Sequence, residues 1–218
     1  MSEIWDGRAA AYRESATHRE GPDLDLLVEW CEPGIYSTAL DVATGGGHVA
    51  RRLREAGFHV VTVDPSPGMQ PDVIARAEDL PFADASFDVV VSRIAPHHFA
   101  DLAAAVAEME RVSARLVVLE DTLYSSDGHE KAERLRDPTH VRNYSEEEWR
   151  RVLEQSGLEI EQVEYFDKTH PLEDWLGRTG CKDEEAERVK ELLADRMTAD
   201  GTAWIDTKIL LKARKSQR

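Results

Sequence analysis

Short apolar runs alternate along the chain with segments in which apolar residues recur every three or four positions. Leu24, Leu27, Val28 and Cys31 share one helical face after Pro22–Asp23, and Pro33–Gly34 closes that helix. A shorter opening helix is expected over Arg8–Ser15. Ala39–Val42 and Val60–Asp64 have the length and composition of buried strands, and between them Val49, Leu53 and Ala56 mark a helix that Gly57 stops. Val73–Ala75 reads as a weak strand. Asp88–Ser92 and Leu116–Glu120 read as strong ones, joined by a helix over Asp101–Val112 whose Leu102, Ala105, Val106 and Met109 face inward. Ser145 and Glu148 form a capping-box signature for a helix through Trp149, Val152 and Leu153 that Gly157 terminates. Leu158–Phe166 reads as a strand and Asp183–Met197 as a polar helix with Val189, Leu192, Leu193 and Met197 on one stripe. Ala203–Ala213 is the last strand.

Strands alternating with helices predict an α/β fold, a Rossmann-like three-layer sandwich around a mostly parallel sheet of roughly seven strands. One connection is too short for that pattern. Only Pro65–Asp72 joins the strand ending at Asp64 to the one at Val73, where parallel neighbours usually need a crossover of about a dozen residues. Three prolines and a glycine forbid a helix there, so either the crossover is a bare loop or the third strand is frayed.

Composition narrows the class. With 218 residues, 41% hydrophobic and 32% charged, the chain suits one globular domain spanning residues 1–218 rather than disorder or a fibrous repeat. No apolar run approaches the ~20 residues of a membrane span, and the N-terminus lacks the apolar core of a secretory signal. Cys31 and Cys181 stand in no metal-like spacing, which fits reduced thiols and a cytoplasmic location. A net charge of −16 argues against a nucleic-acid partner. Seven Lys against 20 Arg is compatible with life in high salt or with a GC-rich genome, and the sequence does not choose.

The candidate chemistry lies in LDVATGGGHVA, residues 40–50, where a strand runs into a glycine-rich turn and then a helix. Asp64 ends the next strand, where a carboxylate can accept both hydroxyls of a ribose. Gly45-Gly46-Gly47-His48-Val49-Ala50 also satisfies the dinucleotide fingerprint, which keeps an NAD-dependent oxidoreductase open as an alternative. Asp41 favours a cofactor without phosphates: a carboxylate before the turn would repel a pyrophosphate and attract an ammonium group.

These blocks resemble the class I S-adenosylmethionine-dependent methyltransferases, nearest the branch with the ubiquinone/menaquinone-biosynthesis enzymes. The resemblance covers about residues 1–166. LDVATGGGHVA looks like the family's first motif, with Ala43 where many members have glycine, followed by Gly45 and Gly47. VVTVDPSPGM looks like the second and implies Asp64 on the ribose. AEDLPFADASFDVVVSRIAPHHF looks like the third and fourth combined, which implies Ala77 and Glu78 beside the adenine and Ser92 at the start of the loop over the methionine end. RNYSEEEWRRVLEQSGLEI resembles the late helix-strand unit, and KILLKARK the final strand, usually antiparallel and inserted between two others. Tyr12 resembles a position that closes over the cofactor.

By that resemblance the cofactor is S-adenosylmethionine, S-adenosylhomocysteine the product, and a small molecule the acceptor. Residues 1–35 would cover the cofactor, and residues 121–150 and 167–200, with Trp175, would form an acceptor-side lid. Three departures stand out. Arg76 replaces the usual acid or amide near the adenine, the crossover after Asp64 is trimmed, and the Pro-Gly-Gly turn before the fifth strand is absent. A non-catalytic module that only binds the cofactor is therefore a second alternative.

Methyl transfer from a sulfonium needs a base only when the acceptor must lose a proton. His97 and His98 follow the fourth strand, where open α/β sheets bind ligands, and one of the two adjacent rings is expected to face the cleft. His140, in the polar stretch after the fifth strand, is a further candidate base or substrate ligand. Arg93 would meet an acidic substrate or pair with a nearby carboxylate. No metal site is expected, and the oligomeric state is not set by the sequence.

Overall fold

The computed structural model describes residues 2–216. Three helices open the chain: α1 (Ser2–Glu14), α2 (Ala16–Arg19) and α3 (Pro22–Trp30). Then follow β1 (Thr38–Val42), α4 (His48–Glu55), β2 (His59–Asp64), β3 (Val73–Ile74), β4 (Phe87–Arg93), α5 (Leu102–Val112), β5 (Ser113–Thr122), α6 (Asp127–Arg136) and α7 (Glu146–Gln155). The chain closes with β6 (Leu158–Pro171), α8 (Leu172–Gly177), α9 (Asp183–Leu192) and β7 (Ala203–Lys215).

The strands form one seven-stranded sheet in the order β3-β2-β1-β4-β5-β7-β6. The first five are parallel, and β7 enters antiparallel between β5 and β6. Both faces are covered, as buried parallel strands require. Leu40, Val63, Val90 and Val117 pack with Met109, Trp149 and Leu153 on one face. Ala39, Val89, Val91 and Val118 pack with Leu24, Leu27 and Leu53 on the other. A third cluster, around Trp175, Val189, Leu193 and Trp204, lies under α8 and α9 beyond the carboxyl end of β5.

The trimmed connections are closed by polar contacts. Between β2 and β3 there is only a 3-10 turn over Pro67–Met69, and β3 has two residues. The Asp72 carboxylate replaces a crossover helix as the fastener: it accepts the Thr62 N–H at 2.9 Å and the Thr62 hydroxyl at 2.8 Å. In place of the Pro-Gly-Gly turn, α5 passes into β5 without a loop, and Lys215 Nζ donates to the carbonyls of Glu110 and Ser113. These bonds add a charged donor to carbonyls at the C-terminal end of the helix.

Several expected boundaries shift. The opening helix begins at Ser2 rather than Arg8, β6 runs on to Pro171, and the helix expected over Asp183–Met197 ends at Leu192 before a short 3-10 turn. The helices α6 and α8 were not visible as apolar stripes.

Candidate functional site

The glycine turn after β1 is a left-handed passage. Ala43 has φ +57°, the region where glycine is usual, and Gly47, at φ +74°, lets the chain reverse into α4. Asp41, near the end of β1, is almost fully buried. Its Oδ2 accepts the Thr44 hydroxyl at 2.6 Å and the Ala50 N–H at 3.1 Å, so it ties the turn to the first turn of α4. Burial pushes its carboxyl up to about 7. Both donors act on Oδ2, and Asp41 is not among the residues that line the cavity described next.

Asp64 accepts the Gly45 N–H at 3.0 Å and the Ser66 N–H at 2.9 Å, and burial raises its pKa. It stands on the wall of a cavity of about 500 Å³ with Tyr12, Ala43, Gly45, Ala77 and Glu78. Gly47 and Ser92 are not on that wall. Gly47 caps α4, while Ser92 is a fully buried strand residue paired with Leu119, and the chain beyond it, Arg93 to Ala95, lines the cavity instead. Glu78 accepts the Ala100 N–H at 2.8 Å and pairs with Arg76 at 3.3 Å, so the unexpected arginine is neutralised beside the cavity.

Helix α1 roofs this cavity. The Asp6 carboxylate accepts the Ser66 hydroxyl at 2.6 Å and the Gly68 N–H at 2.7 Å, and His48 Nε2 bonds the Tyr12 carbonyl at 2.9 Å. The approach is close enough that a Cβ on Gly46 would lie 2.8 Å from the Tyr12 carbonyl oxygen. The sequence pointed to Gly45 and Gly47. Gly46 and Trp5, both on the cavity wall, carried no signal apart from their neighbours.

The chain fits an adenosyl cofactor. A carboxylate waits where ribose hydroxyls would seek an acceptor, the glycine turn offers bare backbone, and Met69, Ala77 and Phe99 supply an apolar wall.

A second, smaller compartment of about 40 Å³ adjoins the first and shares Tyr12, His18, Ile94 and His98 with it. The three histidines singled out by sequence converge on it. Ring centroids are 4.1 Å apart for His97 and His98 and 5.4 Å apart for His97 and His140. Both adjacent rings reach the compartment, contrary to the expectation that only one would. They sit in a 3-10 turn, Pro96–His98, and the compartment wraps around it.

Asp121, at the carboxyl end of β5, binds His97 twice: through the backbone N–H at 2.7 Å and through Nδ1 at 2.5 Å. Burial works against the imidazolium, yet Asp121 raises the His97 pKa above its ordinary value. Burial and the neighbouring charge of His97 hold His98 well below its own, with its Nδ1 bonded to the Thr139 carbonyl at 3.0 Å. His140 Nε2 lies 3.1 Å from Glu130.

Arg93 does not reach into either space as a free cation. It is buried between Asp23 and Glu120, with Nε 2.6 Å from Glu120, and Lys168 closes the cluster on Asp23 at 2.8 Å. Among the described residues no group of three or more His, Cys, Asp or Glu side chains is placed to hold a metal ion. No helix among them is long and apolar enough to cross a membrane.

A sheet in this order, with a glycine turn after β1 and a carboxylate at the end of β2, defines a nucleoside-cofactor enzyme of the Rossmann-like kind. Residues 40–115 match the family described as a methyltransferase domain. The uncharacterised methyltransferase YcgJ of Bacillus subtilis is 28% identical over 209 residues, covering 85% of this chain and 81% of YcgJ. A solved putative methyltransferase from Bacillus halodurans superposes with a TM-score of 0.79 at 28% identity, covering 90% of this chain and all of that one. Geranyl diphosphate methyltransferase, solved in complex with SAM, shares the fold at a TM-score of 0.63 and 16% identity, covering 88% of this chain and 84% of that one. Residues 40–115 thus carry the match to a methyltransferase domain, and the relatives along most of the chain support a methyltransferase of the S-adenosylmethionine-dependent type. The methyltransferase-domain match and the methyltransferase relatives speak against the oxidoreductase alternative.

Proposed function

We propose that the chain transfers a methyl group to a small polar acceptor whose nucleophile gives up a proton to His97. The observation that carries this reading is the His97–Asp121 pair on the wall of a compartment that adjoins the cofactor cavity. Asp121 accepts the Nδ1 proton, which leaves Nε2 as the basic nitrogen. The cofactor supplies an electrophilic methyl on a sulfonium, whose leaving group is a neutral thioether. Orientation is then the main task of the protein, with the acceptor held about 3–3.5 Å from the methyl.

In this reading Tyr12, Ala43, Gly45, Asp64, Ala77 and Glu78 hold the cofactor, while Asp41 and Gly47 shape the turn beneath it. His98, shared by the two spaces, separates donor from acceptor. Residues 1–218 act as one unit, with α1 as cover. Residues 121–150 and 167–200 build the acceptor side, since Arg136, His140, Lys168 and Trp175 all line the compartment. The walls are mostly polar or charged and the space is small, which supports a small polar acceptor over a large apolar one.

The test is calorimetry with S-adenosylhomocysteine, the expected product, with NADH as control. Saturable binding to the wild type and to His97→Gln, and its loss in Asp64→Ala, is the expected result. No binding to the wild type would overturn the reading. Turnover retained in His97→Gln would remove the base from it.

A further inference from the structure

We infer that the smaller compartment seats the carboxylate of a small hydroxy acid on Arg136, with the hydroxyl of the same molecule turned toward His97. This rests on the proposed transfer to a protic acceptor and names its class.

Size is the first constraint. A single water needs roughly 10–15 Å³ of such space, so about 40 Å³ admits only a molecule of a few non-hydrogen atoms.

The second is the state of Arg136, which is 8% exposed. Its guanidinium lies over the Trp175 ring at 4.1 Å, which fixes its plane. Nη1 donates to Glu133 at 3.2 Å. Nη2 is 3.9 Å from Asp137, beyond hydrogen-bond reach, and the buried Nε has no partner among the described residues. Nε and Nη2 share one edge of the guanidinium, the edge that meets both oxygens of a carboxylate side-on.

Two lysines on the wall are committed, Lys208 to Asp206 at 2.7 Å and Lys168 to Asp23 at 2.8 Å, and Arg178 Nη1 donates to the Ser15 hydroxyl at 3.2 Å. His140 Nδ1 is likewise buried without a partner among the described residues. An apolar acceptor would leave these groups stripped of water and unpaired.

A carboxylate clamped at both oxygens is a poor nucleophile, so the methyl goes to the hydroxyl. The hydroxyl O–H bond breaks and its proton passes to His97 Nε2. The oxygen forms the new bond to the methyl carbon as the carbon–sulfur bond breaks, its electron pair staying on sulfur. The products are a methoxy acid, the neutral thioether and a protonated His97 that releases its proton to solvent.

Glycolate, the smallest hydroxy acid, and its neutral counterpart glycolamide provide the test, each titrated into the full chain saturated with S-adenosylhomocysteine. Glycolate is expected to bind saturably and roughly tenfold or more tighter than glycolamide. Arg136→Lys keeps a cation opposite Glu133 but lacks the fork, and should lose that preference. Equal affinity for the two probes, or an unchanged preference in the variant, overturns the carboxylate seat while cofactor binding stands. Absence of S-adenosylhomocysteine binding overturns the underlying reading and the seat with it. The two-probe comparison on the wild type decides the matter even if the variant fails to fold.

Discussion

Asp121 holds His97 by two hydrogen bonds, 2.7 Å from the backbone N–H and 2.5 Å from Nδ1, so one carboxylate sets both the position of the loop and the tautomer of the ring. That double hold distinguishes His97 from His98, whose Nδ1 faces a carbonyl rather than a charge.

The first prediction follows from it. His97 accepts a proton only when neutral, so kcat/KM should rise with pH through a pKa above the ordinary 6.5. Asp121→Asn removes the charge that raises this pKa, so the ascending limb should move to lower pH while turnover falls. His97→Gln should lower kcat by about 10²–10⁴-fold. Full pH–rate profiles of the three proteins, once an acceptor is in hand, give the answer; a limb that stays put in Asp121→Asn would refute the pairing.

Gly46→Ala tests the roof. The added methyl would lie 2.8 Å from the Tyr12 carbonyl and 2.9 Å from His48 Nε2, so α1 must lift. A loss of about 1–3 kcal/mol in stability is expected from such overpacking. Weaker S-adenosylhomocysteine binding should accompany it, and calorimetry beside thermal melts would show both or discard the idea.

Arg93→Met should be among the costliest single changes. It leaves Asp23 and Glu120 buried with only Lys168 nearby, and breaking a buried pair typically costs about 3–5 kcal/mol. Glu120 is already pushed up to about 7 by burial against the pull of Arg93, so the variant should recover partly as the pH is lowered and that carboxyl takes a proton. Denaturant melts at several pH values measure this directly.

His98 supplies a pH signature in stability. Its folded pKa lies well below the unfolded 6.5, so the unfolded state binds the extra proton. That contribution is complete above 6.5 and is lost as pH falls below it, with a slope of about 1.4 kcal/mol per pH unit. His98→Gln should therefore gain on the wild type steadily below pH 6.5, and a constant difference between the two would contradict a buried neutral ring.

The sheet was legible because the core strands carry short apolar runs, Val89–Val91 in β4 and Leu116–Leu119 in β5 above all, and the capping box is formed as Ser145 and Glu148 announce. Helix α6 was not, for a physical reason: its buried face is His129, Ala132, Glu133 and Arg136, held by ion pairs and by Trp175 rather than by an apolar stripe. The acceptor side is illegible by the same token. His97, His98 and His140 could be named from their places after strands, but Asp121 ends an apolar run and looks like its polar stop. Arg136 becomes informative only when the state of its Nε edge is known. Ser92 shows the opposite failure, where the motif points one residue short of the segment that reaches the cavity.

Among the described side chains of α1 only Ala9 is buried. The helix is otherwise tethered by Asp6 to Ser66 and Gly68, by Arg8 to Asp137, by Arg13 to the Gly68 carbonyl and by the Tyr12 carbonyl to His48. A segment held this way opens locally at a small fraction of the cost of unfolding the sheet. Traffic into the cofactor cavity is then set by the breathing of one peripheral helix. Because salt weakens charged tethers, the residence time of the cofactor becomes a property of ionic strength.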